Sequence, residues 1–338
     1  MESDIDPVRS GEELNVESLA SYLRGKIEGA DSGISLAQFA KGHSNLTYWL
    51  KAGSNEYVLR RGPLGPVPPK AHDMAREYRT LNAVHKHFPE APRVFHLCED
   101  TSVIGAVFFL MERRHGVILR ESVPKEISVV PNYEERTSNQ FIKCLVRLHA
   151  IDVAKTGLLA LGKPEGFLER QVDGWAERWQ RAKTDDVGSA DEVIRWLREN
   201  RPESGKPTLV HNDYKLDNVM LPLNGVDRIE AVLDWEMTTV GDPMADLGLS
   251  LCYWVWASPM TTQEGWYTRE QFVARYAELT GRDVSSIDFH EVLGVFKLAV
   301  ILQQIYFRFR RGQTMDRRFE AFGERVRTLL AVAARLSR

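Results

Sequence analysis

The sequence predicts an α+β protein in two lobes, a small antiparallel β-sheet with one helix followed by a larger, mainly helical part. Three observations carry this expectation. Between Ser35 and Glu112, short apolar segments of strand length alternate with turn-rich stretches and are interrupted by one helical segment. Beyond Gly116 the apolar spacing changes to a helical period, so the lobe boundary falls within Arg113–Gly116, giving lobes 1–113 and 114–338. Finally, 338 residues are enough for two lobes with a sizeable core.

Taken in order, Leu19, Leu23 and Ile27 mark an N-terminal helix over Val16–Ile27. Ser35–Phe39 and Leu46–Lys51 read as strands on either side of Ala40–Asn45, whose small and polar residues suit a hairpin turn. Glu56–Arg61 is the next strand. Four prolines and two glycines make Gly62–Pro69 an irregular loop. Ala71–Phe88 then reads as a helix, and Pro92–Leu97 and Val107–Glu112 as strands. In the second lobe, Tyr133–Ile151, Gly166–Arg181 and Ala190–Asn200 have helical spacing, and further helices run from Asp246 to the end. Asp242-Pro243 reads as a turn and Asp246 as a helix N-cap. Leu247–Trp256 is too short to cross a bilayer and reads as a buried helix.

Composition narrows the function classes. With 43% hydrophobic and 27% charged residues and a net charge of −3, the chain is not a nucleic-acid binder. Cys98, Cys144 and Cys252 are widely separated, without metal-type pairing, and are expected to be reduced, buried thiols. The acidic start, Met1-Glu-Ser-Asp-Ile-Asp6, has no secretory character, and the expected location is the cytoplasm, away from any membrane.

The chemistry is concentrated in Leu209-Val-His-Asn-Asp-Tyr-Lys-Leu-Asp-Asn-Val-Met-Leu221 and Ala231-Val-Leu-Asp-Trp-Glu236. Phosphoryl transfer needs a carboxylate at the acceptor hydroxyl and oxygen ligands for the magnesium that neutralises the phosphates. Asp213 suits the first task, Asn218 and Asp234 the second. The order His211, Asp213, Asn218, with a later Asp234, matches the spacing of a protein-kinase catalytic loop and its metal aspartate, and Lys215 falls where a lysine meets the transferring phosphate. Asp234-Trp235-Glu236 lacks the Phe-Gly of the protein-kinase motif, and no Ala-Pro-Glu follows, which points away from protein substrates.

Together with Gly241-Asp-Pro-Met-Ala-Asp-Leu-Gly248, these segments resemble the aminoglycoside phosphotransferase and choline kinase-like family of small-molecule kinases. The resemblance extends over Gly42-His-Ser-Asn45, Tyr57-Val-Leu-Arg-Arg61, Arg76-Glu-Tyr-Arg79, Leu145–Asp152 and Phe167–Gln171. Phe307–Thr314 with Arg318-Phe319 is similar to a subgroup linked to acyl-CoA dehydrogenases. It implies a protein kinase-like two-lobed fold and ATP with Mg2+ as cofactors, GTP remaining open. His211 would brace the catalytic loop. A cation from the third strand would meet the phosphates; Arg60 is chosen over Arg61 because it follows Val58-Leu59, and Glu77 would pair with it. Gly42 and Ser44 would cover phosphate oxygens, and Leu110–Arg113, including Glu112 and Arg113, would offer backbone groups to the adenine edge. Trp235, Trp254 and Trp256 are either core or acceptor-site lining. From Lys297 to Arg338 ten lysines and arginines face three acids, clustered at Arg308, Arg310, Arg311, Arg317 and Arg318. That cluster is either a solvated face or the sign of an anionic acceptor, for which the subgroup favours a hydroxyacyl-CoA. Two alternatives stand beside this expectation, a kinase-like nucleotide-binding module without transfer and a kinase of an aminoglycoside or amino-alcohol. Oligomeric state is left open.

Overall fold

The structure, a computed structural model, describes residues 4–39, 45–63, 73–120, 122–314 and 316–338. Gly42 and Ser44, with most of the expected hairpin turn and of the expected proline-rich loop, lie outside the described residues. The chain divides into two compact units, one of residues 1–117 with 230–236, the other of 118–229 with 237–338.

The first unit is an antiparallel sheet of β1 (Ile5–Asp6), β2 (Ile34–Phe39), β3 (Leu46–Ala52), β4 (Asn55–Arg61), β5 (Val94–Cys98) and β6 (Phe108–Glu112), in the order β1-β2-β3-β4-β6-β5. Ala52 pairs with Asn55 across a two-residue turn, and Gly53 takes its left-handed position at φ +58. One helix, α1 (Val16–Leu23), is capped by Asn15, whose side chain accepts from Ser18 N. It ends one turn short of the expected Ile27, as the chain turns at Gly25, φ +65. The other, α2 (Met74–Val84), starts at Asp73, which accepts from Arg76 N at 2.9 Å. Strand alternation sorts β4: Tyr57 and Leu59 join a core with Leu19, Leu23, Tyr48, Phe108 and Leu110, so Val58 and Arg60 take the other face.

Segment 230–236 belongs with this unit, although the sequence assigned everything after residue 113 to the second lobe. Val232 N donates to Glu90 O at 2.8 Å, and Trp235 packs edge-on against Phe88 at 5.8 Å. Arg76 Nη1 also donates to Glu236 O.

The second unit is mainly helical: α3 (Lys125–Ser128), α4 (Tyr133–His149), α5 (Phe167–Ala182), α6 (Asp191–Glu199), α7 (Pro243–Leu251), α8 (Arg269–Thr280), α9 (Ile287–Arg310) and α10 (Phe322–Leu336). Two short strands, Thr208–Val210 and Thr239–Gly241, pair antiparallel. At its centre α9 packs against α5, α6, α7 and α10. By length and composition α9 could cross a membrane, yet most of it is buried within this unit, with His290, Glu291 and Lys297 among its buried residues. That is the pattern of a core helix. The α7–α9 crossing is close because both helices lack side chains there: a Cβ on Gly248 would lie 2.3 Å from His290 C, and one on Gly294 would lie 2.9 Å from Gly248 O. All three cysteines are buried and outside any disulfide.

Candidate active site

The loop carrying Asp213 runs from strand Thr208–Val210 to strand Val219–Leu221 through a 3-10 turn at Leu216–Asn218. Its backbone is fastened from below by α7. Asp242, followed by Pro243, is the N-cap of α7 and accepts from Met244 N at 2.9 Å. Asp246 is therefore not the cap that its sequence position implied. It lies inside the first turn, fully buried, and accepts from His211 N at 2.5 Å and Asn212 N at 2.6 Å. Although burial would raise its pKa, the His149 hydrogen bond and charge, with the nearby His211, hold this carboxyl below its usual range. The ring of His149, 3.3 Å from Asp246, is itself held by Tyr276 Oη at 2.8 Å.

The loop bends at Asn212, whose φ of +65 is uncommon for a residue other than glycine. Three contacts hold it: its N on Asp246, its side-chain amide donating to Met237 O at 3.1 Å, and its carbonyl accepting from Lys297 Nζ at 2.9 Å. His211 is fully buried, and its Nδ1 accepts from Asp213 N at 3.3 Å. Its place is inside the loop, as a brace.

Asp213 is the focus of this unit. Lys215 Nζ lies 3.1 Å from Oδ1 and 2.9 Å from Oδ2, Asn218 Nδ2 donates to Oδ2 at 2.8 Å, and Tyr253 Oη donates to Oδ1 at 2.9 Å. Asn218 Nδ2 also reaches Asp213 O at 2.9 Å, which leaves the amide oxygen as the atom of Asn218 suited to a hard cation.

In the first unit, Arg60 extends from β4 toward α2. Its Nε is 3.2 Å from Glu77 and its Nη2 is 2.6 Å from Asp234, a residue with φ +67. Arg61 points to the opposite side and donates to Ile104 O at 2.9 Å, so strand parity leaves Arg60 as the arginine that meets Glu77 and Asp234. Glu77 is 1% exposed, and burial raises its carboxyl to about 7 despite the opposing charge of Arg60. Burial alone would lower the pKa of Arg60, but Glu77 and Asp234 raise it and keep the guanidinium charged. Glu236 accepts from Asn45 Nδ2 at 3.0 Å.

At the end of β6, Glu112 N donates to Arg93 O at 2.7 Å and the Glu112 carboxylate accepts from Arg93 N at 3.1 Å. The N–H of Glu112 thus serves the strand pair, and an adenine edge would need another backbone group of this stretch. Arg113 pairs with Asp4 at 2.8 Å and lies over the Phe39 ring.

Residues 35–289 match the family model described as the phosphotransferase enzyme family. The chain belongs to this family. It is 32% identical over 339 residues to acyl-CoA dehydrogenase family member 10 of Mus musculus, covering 97% of this chain and 31% of the relative. It is 31% identical over 353 residues to acyl-CoA dehydrogenase family member 11 of Homo sapiens, covering 100% of this chain and 45% of that protein. The chain thus spans less than half of the length of these relatives. Among solved structures, a Ralstonia eutropha protein described as a candidate aminoglycoside phosphotransferase superposes with a TM-score of 0.81 at 28% identity, covering 96% of this chain and 98% of that one. A thermostable mutant of aminoglycoside phosphotransferase APH(4)-Ia, in a ternary complex with AMP-PNP and hygromycin B, gives a TM-score of 0.61 at 19% identity, covering 94% and 98%. The expected kinase-like fold and the likeness to acyl-CoA dehydrogenase-linked proteins are both found.

Two residues that bond the Asp213 loop, Tyr253 and Lys297, were not assigned to it from the sequence. Tyr253 adjoins a tryptophan that was named, and Lys297 begins the basic C-terminal run. The tryptophans themselves serve packing. Trp235 is buried and donates to Val232 O, and Trp254 is buried among Phe141, Trp266 and Phe272. Trp256, half-buried, donates to Glu291. Arg308, Arg310, Arg311, Arg317 and Arg318 are all exposed; Arg310 pairs with Asp186 and Arg318 with Asp316.

Proposed function

We propose that this phosphotransferase is a magnesium-dependent kinase that moves the γ-phosphoryl group of ATP to a hydroxyl of a small, anionic metabolite, with hydroxyacyl-CoAs the first acceptor class to test. The observation that carries the reading is the set of groups on Asp213, a carboxylate joined by a lysine and by the amide of Asn218, on a loop held by Asp246. Asp213 takes the acceptor's hydroxyl proton as the new O–P bond forms, the bond from the γ-phosphorus to the bridging oxygen breaks, and ADP leaves. Lys215 supplies positive charge for the migrating group. Arg60, oriented by Glu77, supplies it for the nucleotide phosphates, with a planar fork in place of a lysine's point charge. Asn218 and Asp234 are the residues that would hold magnesium, since an amide oxygen and a carboxylate are hard donors suited to it; once bound, the ion would neutralise phosphate charge. The basic run from Arg308 to Arg318 is the sequence feature behind an anionic acceptor, although its arginines are exposed and two of them face acids. The names of the curated relatives suggest a link to acyl-CoA dehydrogenation.

A second reading, a nucleotide-binding module without transfer, is favoured by one observation: Asp234 is engaged by Arg60 at 2.6 Å. Nucleotide consumption by wild type and Asp213→Asn, across hydroxyacyl-CoAs, hydroxy acids, amino-alcohols and aminoglycosides, separates the two. The kinase reading expects turnover on one class, lost by at least a hundredfold in the variant while nucleotide binding persists. Tight nucleotide binding with no turnover on any class would favour the module.

A further inference from the structure

Three side-chain hydrogen bonds end on the Asp213 carboxylate, from Lys215 and Tyr253 to Oδ1 and from Asn218 to Oδ2, and the Lys215 ammonium also lies 2.9 Å from Oδ2. A carboxylate offers about four lone-pair sites. Two of these sites are on Oδ1, and Lys215 and Tyr253 occupy both, so an acceptor hydroxyl can reach Oδ1 only when one of them leaves. Lys215 is a cation facing its counter-charge, and Asn218 also holds the loop through Asp213 O. Tyr253 is the neutral, dispensable donor of the three.

Its setting is unusual. Tyr253 lies on a π-helical turn, Cys252–Ala257, that continues α7; such wide turns are rare and recur at functional sites. The ring is partly exposed, and Lys215 Nζ lies 4.8 Å from its centroid. Burial, then the neighbouring Asp213, raises the phenol's pKa well above its ordinary value, so Tyr253 is a hydrogen-bond donor at neutral pH.

We propose that Tyr253 is a positioning residue that stands in for the acceptor: its hydroxyl caps Asp213 Oδ1 until a substrate hydroxyl replaces it, and so keeps water from being activated there. The inference rests on the kinase reading above. The reaction it suppresses is hydrolysis, in which water gives a proton to Asp213, its oxygen bonds to the γ-phosphorus, and the bond to the bridging oxygen breaks to release ADP and phosphate.

The test needs no knowledge of the acceptor. MgATP hydrolysis is measured without acceptor for wild type, Tyr253→Phe, Asp213→Asn and the double variant, with MgATP affinity by calorimetry and melting temperature in parallel. Phenylalanine keeps the ring and removes only the donor. A hydrogen bond to a charged group corresponds to roughly tenfold to a hundredfold in rate or population. Tyr253→Phe should accelerate acceptor-independent hydrolysis by that factor, with unchanged MgATP affinity, and the gain should vanish in the double variant. If Tyr253→Phe binds MgATP as wild type does but hydrolyses it no faster, the proposal is overturned and the kinase reading stands. A variant that melts lower and hydrolyses more slowly assigns Tyr253 a purely structural part, which also overturns it. Absence of MgATP binding by wild type removes the kinase reading itself and this inference with it.

Discussion

Lys297→Met tests how the loop that carries Asp213 is supported. Lys297 is 6% exposed on α9, and its Nζ donates to Asn212 O at 2.9 Å. Burial lowers its pKa to about 8; Asp213 and Asp246 oppose that shift, while Lys215 and Arg178 add to it. In an unfolded chain a lysine titrates near 10.4. Between these values the unfolded chain keeps a proton that the folded chain has released, so this group makes stability rise with pH from about 8 to about 10.4. At about 1.36 kcal/mol per pH unit, the whole rise is about 3 kcal/mol. Methionine has a similar length and cannot titrate. Urea unfolding of both proteins at several pH values from about 7 to about 10.5 gives a stability difference in which other titrating groups cancel. Near pH 7 the two should be close, because losing the donor to a buried carbonyl, about 1–3 kcal/mol, offsets relief from burying an ammonium. Wild type should then gain on the variant by about 3 kcal/mol by the upper end of the range. A difference that stays flat with pH would refute the reasoning, since it would mean that the Lys297 ammonium is solvated and does not support Asn212.

Gly248→Ala should lower stability by about 1–3 kcal/mol, because a Cβ 2.3 Å from His290 C forces α7 and α9 apart by more than helix propensity returns. Its melting temperature measures this, and an unchanged value would contradict the close crossing. Arg60→Gln should destabilise more at pH 8 than at pH 5. Burial raises Glu77 to about 7 when folded, above its unfolded value, so at pH 5 it is protonated and tolerates losing Arg60. Arg60 is the charge that lets this carboxylate ionise above about 7; without it the carboxyl titrates higher still, and at pH 8 the variant must hold the proton or bury an uncompensated charge, either of which costs stability. Equal losses at the two pH values, read by denaturant unfolding, would sink this account.

What could be read from the sequence was local. Strand alternation separated Arg60 from Arg61 because parity on β4 is fixed within four residues, and the spacing of Asp213 and Asn218 is the spacing of one loop. The misreading of Asp246 was also local in origin. Aspartate followed by proline is a strong helix start, and read that way it makes Asp242 the cap and frees Asp246 for another task. The residues missed are those whose partners are distant in the chain. Tyr253 meets Asp213 across 40 positions and Lys297 meets Asn212 across 85, and both contacts depend on how α7, its π-helical extension and α9 pack. No periodicity carries that information; two glycines do so indirectly, by allowing the crossing. The same crossing links stability to chemistry. Asp246 is two residues from Gly248 and Lys297 three from Gly294, so the helix contact that forms the core of the second unit also positions both supports of the loop that carries Asp213. A change that loosens the core there should therefore reduce phosphoryl transfer before it unfolds the protein, a coupling that Gly248→Ala would expose as lost turnover at temperatures below its melting point.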